Sequence, residues 1–368
     1  VTAFHWFLPT GGDSRTVDVG VHGTTIGASS AAAGTRPPTL DYLGQLARAA
    51  DTLGYTGVLT PTGAHCEDAW VVTAALIAQT RRLRFLVALR PGLVEPVLAA
   101  QMAATFQRLS GGRVLLNVVA GGSDEEQRGY GDRLGHDDRY QRAAEFLDVV
   151  RRAWSGESFD HTGKHYTVEG GHLRRPPDPV PEVYLGGSSP AAVEVAARHA
   201  DVYLTWGEPV DQVAAKVQRV RAAAAEHGRA PRFGIRLHVI ARDTAERAWA
   251  DADRLIAGLD DETIAARQAA LRLLASDGQR RMLDLHGGDR DRLVVGPNLW
   301  AGIGLVRGGA GTALVGSHAE IADRIEDYRR VGIDEFILSG YPHLEEAYAF
   351  AEGVRPLLLP TGERLPPR

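Results

Sequence analysis

Short apolar strands alternate with longer helical stretches eight times along the 368 residues, and this alternation constrains the fold more than anything else in the chain. Runs at 3–8, 57–60, 84–89, 114–119, 183–185, 202–205, 233–240 and 335–338 read as strands. Helices are expected over 39–53, 68–79 and about 138–154, the last carrying Tyr140, Phe146, Leu147, Val150 and Trp154 at helical intervals. The helix after the third strand carries Leu98, Met102, Phe106 and Leu109, and the helix after the sixth repeats Val210, Val213, Val217, Val220 and Ala224. Eight such units predict one α/β domain over 1–368, a (β/α)8 TIM barrel with loop insertions at about 11–38, 155–181 and 257–316. The first insertion is rich in Gly, Ser, Ala and Thr and is expected to be mobile without a ligand. The second holds a small hairpin near 159–166, and the third is part helical, part glycine-rich. Long loops at the C-terminal ends of barrel strands build and cover active sites.

Charge narrows the function. With 41 basic against 46 acidic residues the net charge is −5, which argues against a nucleic-acid surface. No apolar run approaches the roughly 20 residues of a membrane span. Cys66 is the single cysteine, so an internal disulfide is excluded, and the chain fits a reducing compartment. Without a signal-peptide layout before the first strand, a cytoplasmic protein is the expectation.

Barrel geometry then selects residues at the ends of strands. These are Thr10, Cys66, Asn117, the Gly186-Gly187-Ser188-Ser189 turn, Trp206, Arg236 with His238, and Tyr341 with His343. Arg236 and His238 are two apart on one strand and therefore share a face. A buried arginine calls for an anionic partner, which raises the interest of that face. Arg307 sits in a glycine-dense run and reads equally as a surface loop or as a lid carrying a charge inward. The Gly-Gly-Ser-Ser-Pro turn is either a phosphate cradle at a helix N-terminus or a plain serine N-cap. Cys66 lacks the paired spacing of a metal site, and no zinc, P-loop or nucleophile-elbow signature is present, so no metal is expected. The acidic runs Asp260-Asp261-Glu262 and Glu345-Glu346 read as solvated helix starts.

Seven segments together resemble the flavin-dependent alkanesulfonate monooxygenases of the bacterial-luciferase-like superfamily. They are FHWFLPT (4–10), GYTGVLTPTGAHCEDAW (54–70), FLVALRP (85–91), YLTWGEP (203–209), FGIRLHV (233–239), PNLWAGIGLVRGGAGTALVG (297–316) and ILSGYPHLEEA (337–347). The resemblance spans nearly the whole chain. It implies a luciferase-like barrel and reduced FMN (FMNH2), delivered by a separate NAD(P)H-dependent flavin reductase. With dioxygen as co-substrate, such an enzyme cleaves an organosulfonate C–S bond to sulfite and an aldehyde. Position by position it implies Arg236, His238, Arg307 and Tyr341 as catalytic residues, with Trp206 and His343 joining them in the substrate pocket. Cys66, Asn117, Tyr140, Gly187, Ser188 and Ser189 fall where the family meets its flavin. It also implies a homo-oligomer, dimer or tetramer.

A sulfonate stays anionic at any working pH and suits a permanently charged guanidinium. Gly11 stands where the family commonly has histidine, and the 13–38 segment differs. A wider pocket mouth is therefore expected, and with it a larger sulfonate such as sulfoquinovose. The alternatives are oxygenation of a sulfone or thioether, deazaflavin-dependent hydride transfer, and a non-catalytic flavin carrier.

Overall fold

The computed structural model describes residues 2–17, 20–21 and 35–358. Eight parallel strands close into a barrel: β1 (Ala3–Phe7), β2 (Gly57–Thr60), β3 (Arg84–Leu89), β4 (Val114–Val118), β5 (Val183–Gly186), β6 (Val202–Trp206), β7 (Arg232–Arg242) and β8 (Glu335–Ser339). Closure is made by β1 pairing with β8, β8 with β7, and β7 with β6. Each expected strand is present to within two residues at either end. Phe7, Leu59, Leu86, Leu115, Tyr184 and Ile337 fill the barrel interior. The opposite faces of the strands pack against the helices in the largest apolar cluster.

Helix starts follow their sequence signals. Thr39, Asp68 and Ser189 cap the helices Leu40–Thr52, Ala69–Leu76 and Pro190–His199 with their side chains, and Ser317 with Glu320 forms a capping box. Val213, Val217, Val220 and Ala224 are buried as their spacing predicts. The helix Pro96–Ser110 corrects its expected stripe. Leu98 and Leu109 are exposed, because the side turned to the barrel is occupied by Ala99, Ala100, Ala103, Ala104 and Phe106. Small residues let that helix approach the sheet closely, and the leucines are left outside.

The 155–181 insertion contains the expected antiparallel hairpin, Phe159–Thr162 with Thr167–Gly171. The 257–316 insertion is more ordered than its glycine content suggests. It supplies helices Asp261–Arg272 and Asp277–His286 and ends in a strand, Ala313–Ser317. That strand runs parallel to the distal half of β7, from His238↔Ala313 to Arg242↔Ser317. The sheet therefore branches at His238, and the branch brings 307–312 back over the barrel mouth. In the 11–38 insertion, Asp13 pairs with Arg36 in a β-bridge, and Gly20–Val21 pairs with Arg307–Gly308. The mobility expected of this segment falls mainly on residues 18–19 and 22–34, outside the described residues. No helix among the described residues is long and apolar enough to cross a membrane.

Candidate active site

The C-terminal ends of the strands open into a cavity of about 950 Å3, at the large end of the usual range of small-molecule sites. Of the residues selected from the sequence, Asn117, Tyr140, Gly187, Ser188, Ser189, Trp206, Arg236, His238, Arg307, Tyr341 and His343 all line it. Thr10, Gly11 and Cys66 are not among its lining residues, although the neighbouring Ala64 and His65 are. Burial pushes the Cys66 thiol up to about 11, so it is not a thiolate at neutral pH.

One arc of the wall is built by β7, β8 and the 257–316 insertion. Arg236 is half-buried; its Nη1 donates to Leu237 O at 2.7 Å and its guanidinium lies 4.7 Å from the Phe7 ring centre. Burial, reinforced by repulsion from Arg307, pulls Arg236 down to about 9, so it remains a cation at neutral pH. Arg307 is 5 % exposed, with its guanidinium 5.2 Å from the centre of the Tyr341 ring. The surface-loop reading of Arg307 is thereby corrected: residues 301–309 are all buried, and Gly304 N donates to Gly311 O at 3.0 Å. A Cβ on Gly311 would come within 2.7 Å of Gly304 Cα, so this close backbone approach requires glycine.

His238 is held on both ring nitrogens. Nε2 lies 3.1 Å from Ala310 O, which can only accept, so Nε2 carries the proton and Nδ1 accepts from Ser339 Oγ at 2.6 Å. Its ring stacks on Tyr341 at 5.5 Å, and Tyr341 meets His343 edge-on at 5.6 Å. Burial, with the two arginines adding to it, holds both histidines well below their ordinary range, and they are neutral at pH 7. The Tyr341 hydroxyl is buried with no hydrogen-bond partner among the described residues. The turn carrying Tyr341 and His343 is anchored from outside by Asp13, whose Oδ2 accepts from His343 N at 2.9 Å and from the Tyr42 hydroxyl.

The insertion is pinned to the barrel by charge and by backbone. Glu208, buried after β6, accepts from Arg281 Nε at 2.9 Å and from Lys216 at 2.7 Å. Thr312 Oγ1 donates to Gly207 O at 2.7 Å, while inside the insertion Gln279 Oε1 accepts from Gly309 N at 2.8 Å. Breaking a buried, paired cluster of this kind typically costs about 3–5 kcal/mol. Glu346 corrects the solvated reading of the 345–346 pair: it is 5 % exposed and forms a two-point pair with Arg242 (2.6 and 2.9 Å). Asp260 does cap its helix as expected.

The other arc, on β2 to β5, is made mostly of backbone turns. Gly187 adopts φ 147°, and a Cβ there would lie 2.4 Å from Ala192 Cβ and 2.6 Å from Tyr140 Oη. Ser189 Oγ accepts from Ala192 N at 3.2 Å, so the plain N-cap is realised, at the cavity rim. Asn117 is buried at the end of β4. Arg90, one residue beyond β3, also lines the cavity and is missing from the set selected above. It is 6 % exposed and donates from Nη2 to Glu126 Oε2 at 2.7 Å, while Nε and Nη1 have no partner among the described residues. The rule that found Asn117 and Trp206, a polar side chain at a strand's C-terminal end, also points to Arg90.

Residues 3–335 match the luciferase-like monooxygenase family. Solved structures with the same fold include a riboflavin lyase (RcaE) with modified FMN and substrate riboflavin, at TM-score 0.80 and 22 % identity over 97 % of this chain and 91 % of that one. A long-chain alkane monooxygenase (LadA) superposes with TM-score 0.76 and 20 % identity, over 97 % and 91 %. The EDTA monooxygenase (EmoA) of Chelativorans sp. BNC1 gives 0.74 and 20 %, over 97 % and 93 %. With a barrel of this topology and a match running through seven of its strands into the eighth, the chain belongs to the luciferase-like monooxygenase family.

Proposed function

We propose that this protein is the oxygenating component of a two-component FMN-dependent monooxygenase that desulfonates an organosulfonate. The observation that carries the reading is the convergence of Arg236 and Arg307 with Tyr341 and two neutral histidines at one side of a large cavity. A guanidinium offers parallel donors to an oxyanion, and charge-assisted bonds contribute about 1.5–3 kcal/mol each.

The residues present fit FMN. Gly187 leaves open a space that a Cβ would fill, next to Ser188, Ser189 and the Tyr140 hydroxyl, and a phosphate would sit there. Asn117 and the wall at Ala64 and His65 would flank the ring system. Bound reduced FMN supplies the activation of dioxygen. This chain's residues do the rest. Arg236 and Arg307 hold the sulfonate, Trp206 and His343 shape its surroundings, and the 301–310 cover excludes water. Both nitrogens of His238 are engaged, so it fixes the Tyr341 ring and does not accept a proton directly. Proton movement falls to Tyr341, whose hydroxyl lacks a partner among the described residues, with Arg307 against its ring face.

The electron source is an NAD(P)H-dependent flavin reductase acting on free FMN. Exposed Val71, Leu98 and Leu109, on two helices that meet through Trp70 and Phe106, offer an apolar face for a second copy of the chain, dimer or tetramer.

The test is sulfite release under air with reductase-supplied FMNH2 and a panel of methanesulfonate, octanesulfonate, a taurine-like sulfonate and sulfoquinovose. Sulfite from one member is the expected result. No sulfite from any, with reduced flavin still bound tightly, sinks desulfonation and leaves oxygenation of a sulfone or of a sulfur-free substrate.

A further inference from the structure

We propose that Arg90, set by Glu126, makes the cavity prefer reduced, anionic FMN over the oxidised, neutral-ring form. This inference rests on the FMN reading above. Going round the barrel, Arg90 at the end of β3 lies between the Ala64–His65 wall after β2 and Asn117 on β4, with the Gly187–Ser189 turn following on β5. It therefore falls inside the arc assigned to the flavin. Arg236 sits across the barrel on β7, and Arg307 comes in from the insertion.

The side chain is built in. Arg90 lines the cavity at 6 % exposure, and its guanidinium lies 5.5 Å from the Tyr130 ring centre. Glu126 fixes it from behind: Oε2 accepts Arg90 Nη2 at 2.7 Å while Oε1 accepts Ala64 N at 2.8 Å. The same carboxylate thus sets both the guanidinium and the neighbouring cavity wall. A guanidinium carries five donors and no acceptor, and here Nε and Nη1 have no partner among the described residues. Reduction of FMN at neutral pH places a negative charge on the ring. A fixed, buried cation in the cavity wall stabilises that charge and gains little from the neutral oxidised ring.

The experiment measures Kd for FMN aerobically and for FMNH2 anaerobically, by flavin fluorescence and absorbance, on the full chain. Arg90→Met is expected to weaken reduced flavin at least tenfold and oxidised flavin less than threefold, with Arg90→Lys in between. Glu126→Gln keeps Arg90 and removes its counter-charge, so it should tighten the reduced form severalfold and leave the oxidised form unchanged. This second variant guards against Arg90→Met simply failing to fold. Equal losses for both flavin forms in both variants would assign the pair a packing role and overturn the inference. Wild-type protein that binds neither form would overturn the FMN reading itself, and this inference with it.

Discussion

The two arcs of the cavity wall are made in different ways. The β2–β5 arc is built from short turns, a capped helix N-terminus and a cation already matched by a carboxylate, Arg90 with Glu126. The β7–β8 arc concentrates Arg236, Arg307 and two neutral histidines, and a strand branching from β7 brings half of it in from the insertion. Backbone donors and a paired cation suit the phosphate and ring proposed for FMN. Two cations close enough to repel one another suit a ligand that brings its own negative charge, as proposed for the sulfonate.

The most severe way to break this division is Arg236→Leu. Two charge-assisted bonds lost to the anion should lower kcat/KM for sulfite release by about 10²–10⁴-fold. FMN affinity should change less than threefold. A parallel collapse of flavin binding would show that the arcs are one site, and the comparison would fail. Gly187→Ala attacks the opposite arc. Its Cβ would collide with Ala192 and the Tyr140 hydroxyl in a backbone conformation that side chains rarely adopt. FMN affinity should fall by more than tenfold, and methanesulfonate binding, read by calorimetry, should remain within threefold.

How much of this could be read from the sequence depends on whether a residue's role is set locally. Arg236 and His238 were legible because two residues apart on a strand means one shared face, and Ser189 because serine before proline opens a helix. Arg90 lay within reach of the same geometry, one residue past β3. The strand Ala313–Ser317 had a signal too, an apolar run followed by the Ser317–Glu320 capping box, although glycines on both sides disguised it. Other features had no local signal. Leu98 and Leu109 face outward because neighbouring alanines fit the sheet more closely. Glu346 is buried because Arg242, over a hundred positions away, reaches it. The burial of Arg307 depends on the insertion folding back over the barrel mouth.

Acidity gives a smaller effect that still separates the arcs. His238 and His343 have folded pKa values far below the ordinary histidine value of about 6.5. Groups depressed in this way contribute stability that is present above the unfolded pKa and lost as pH falls through it, at about 1.4 kcal/mol per unit for each histidine. Asp13 beside them acts with the opposite sign. Burial raises it to about 6, so its contribution is present in acid and lost as pH rises through that value, and it offsets one of the two histidines. His199 and His286, each held down to about 4 by burial, act with the same sign as His238 and His343, so the net expectation is a thermal midpoint that drops by several degrees between pH 7 and 5.5. Methanesulfonate should counter the drop, since a bound anion favours the protonated rings, and FMN should counter it much less. Equal protection by both ligands would blur the arcs.

Ser189→Ala should give the smallest effect and the sharpest distinction within the flavin arc. The Ser189 hydroxyl oxygen accepts from Ala192 N, and losing that cap should cost about 1 kcal/mol of stability whatever the cavity binds. The hydroxyl proton is still available to a phosphate. If it is used there, FMN affinity should fall about three- to tenfold beyond any change for riboflavin, which has the same ring and no phosphate. Equal, small losses for the two ligands would leave Ser189 as a helix cap and shift phosphate binding onto Ser188 and the backbone donors of the turn. A selective loss for FMN would place the phosphate at this helix N-terminus.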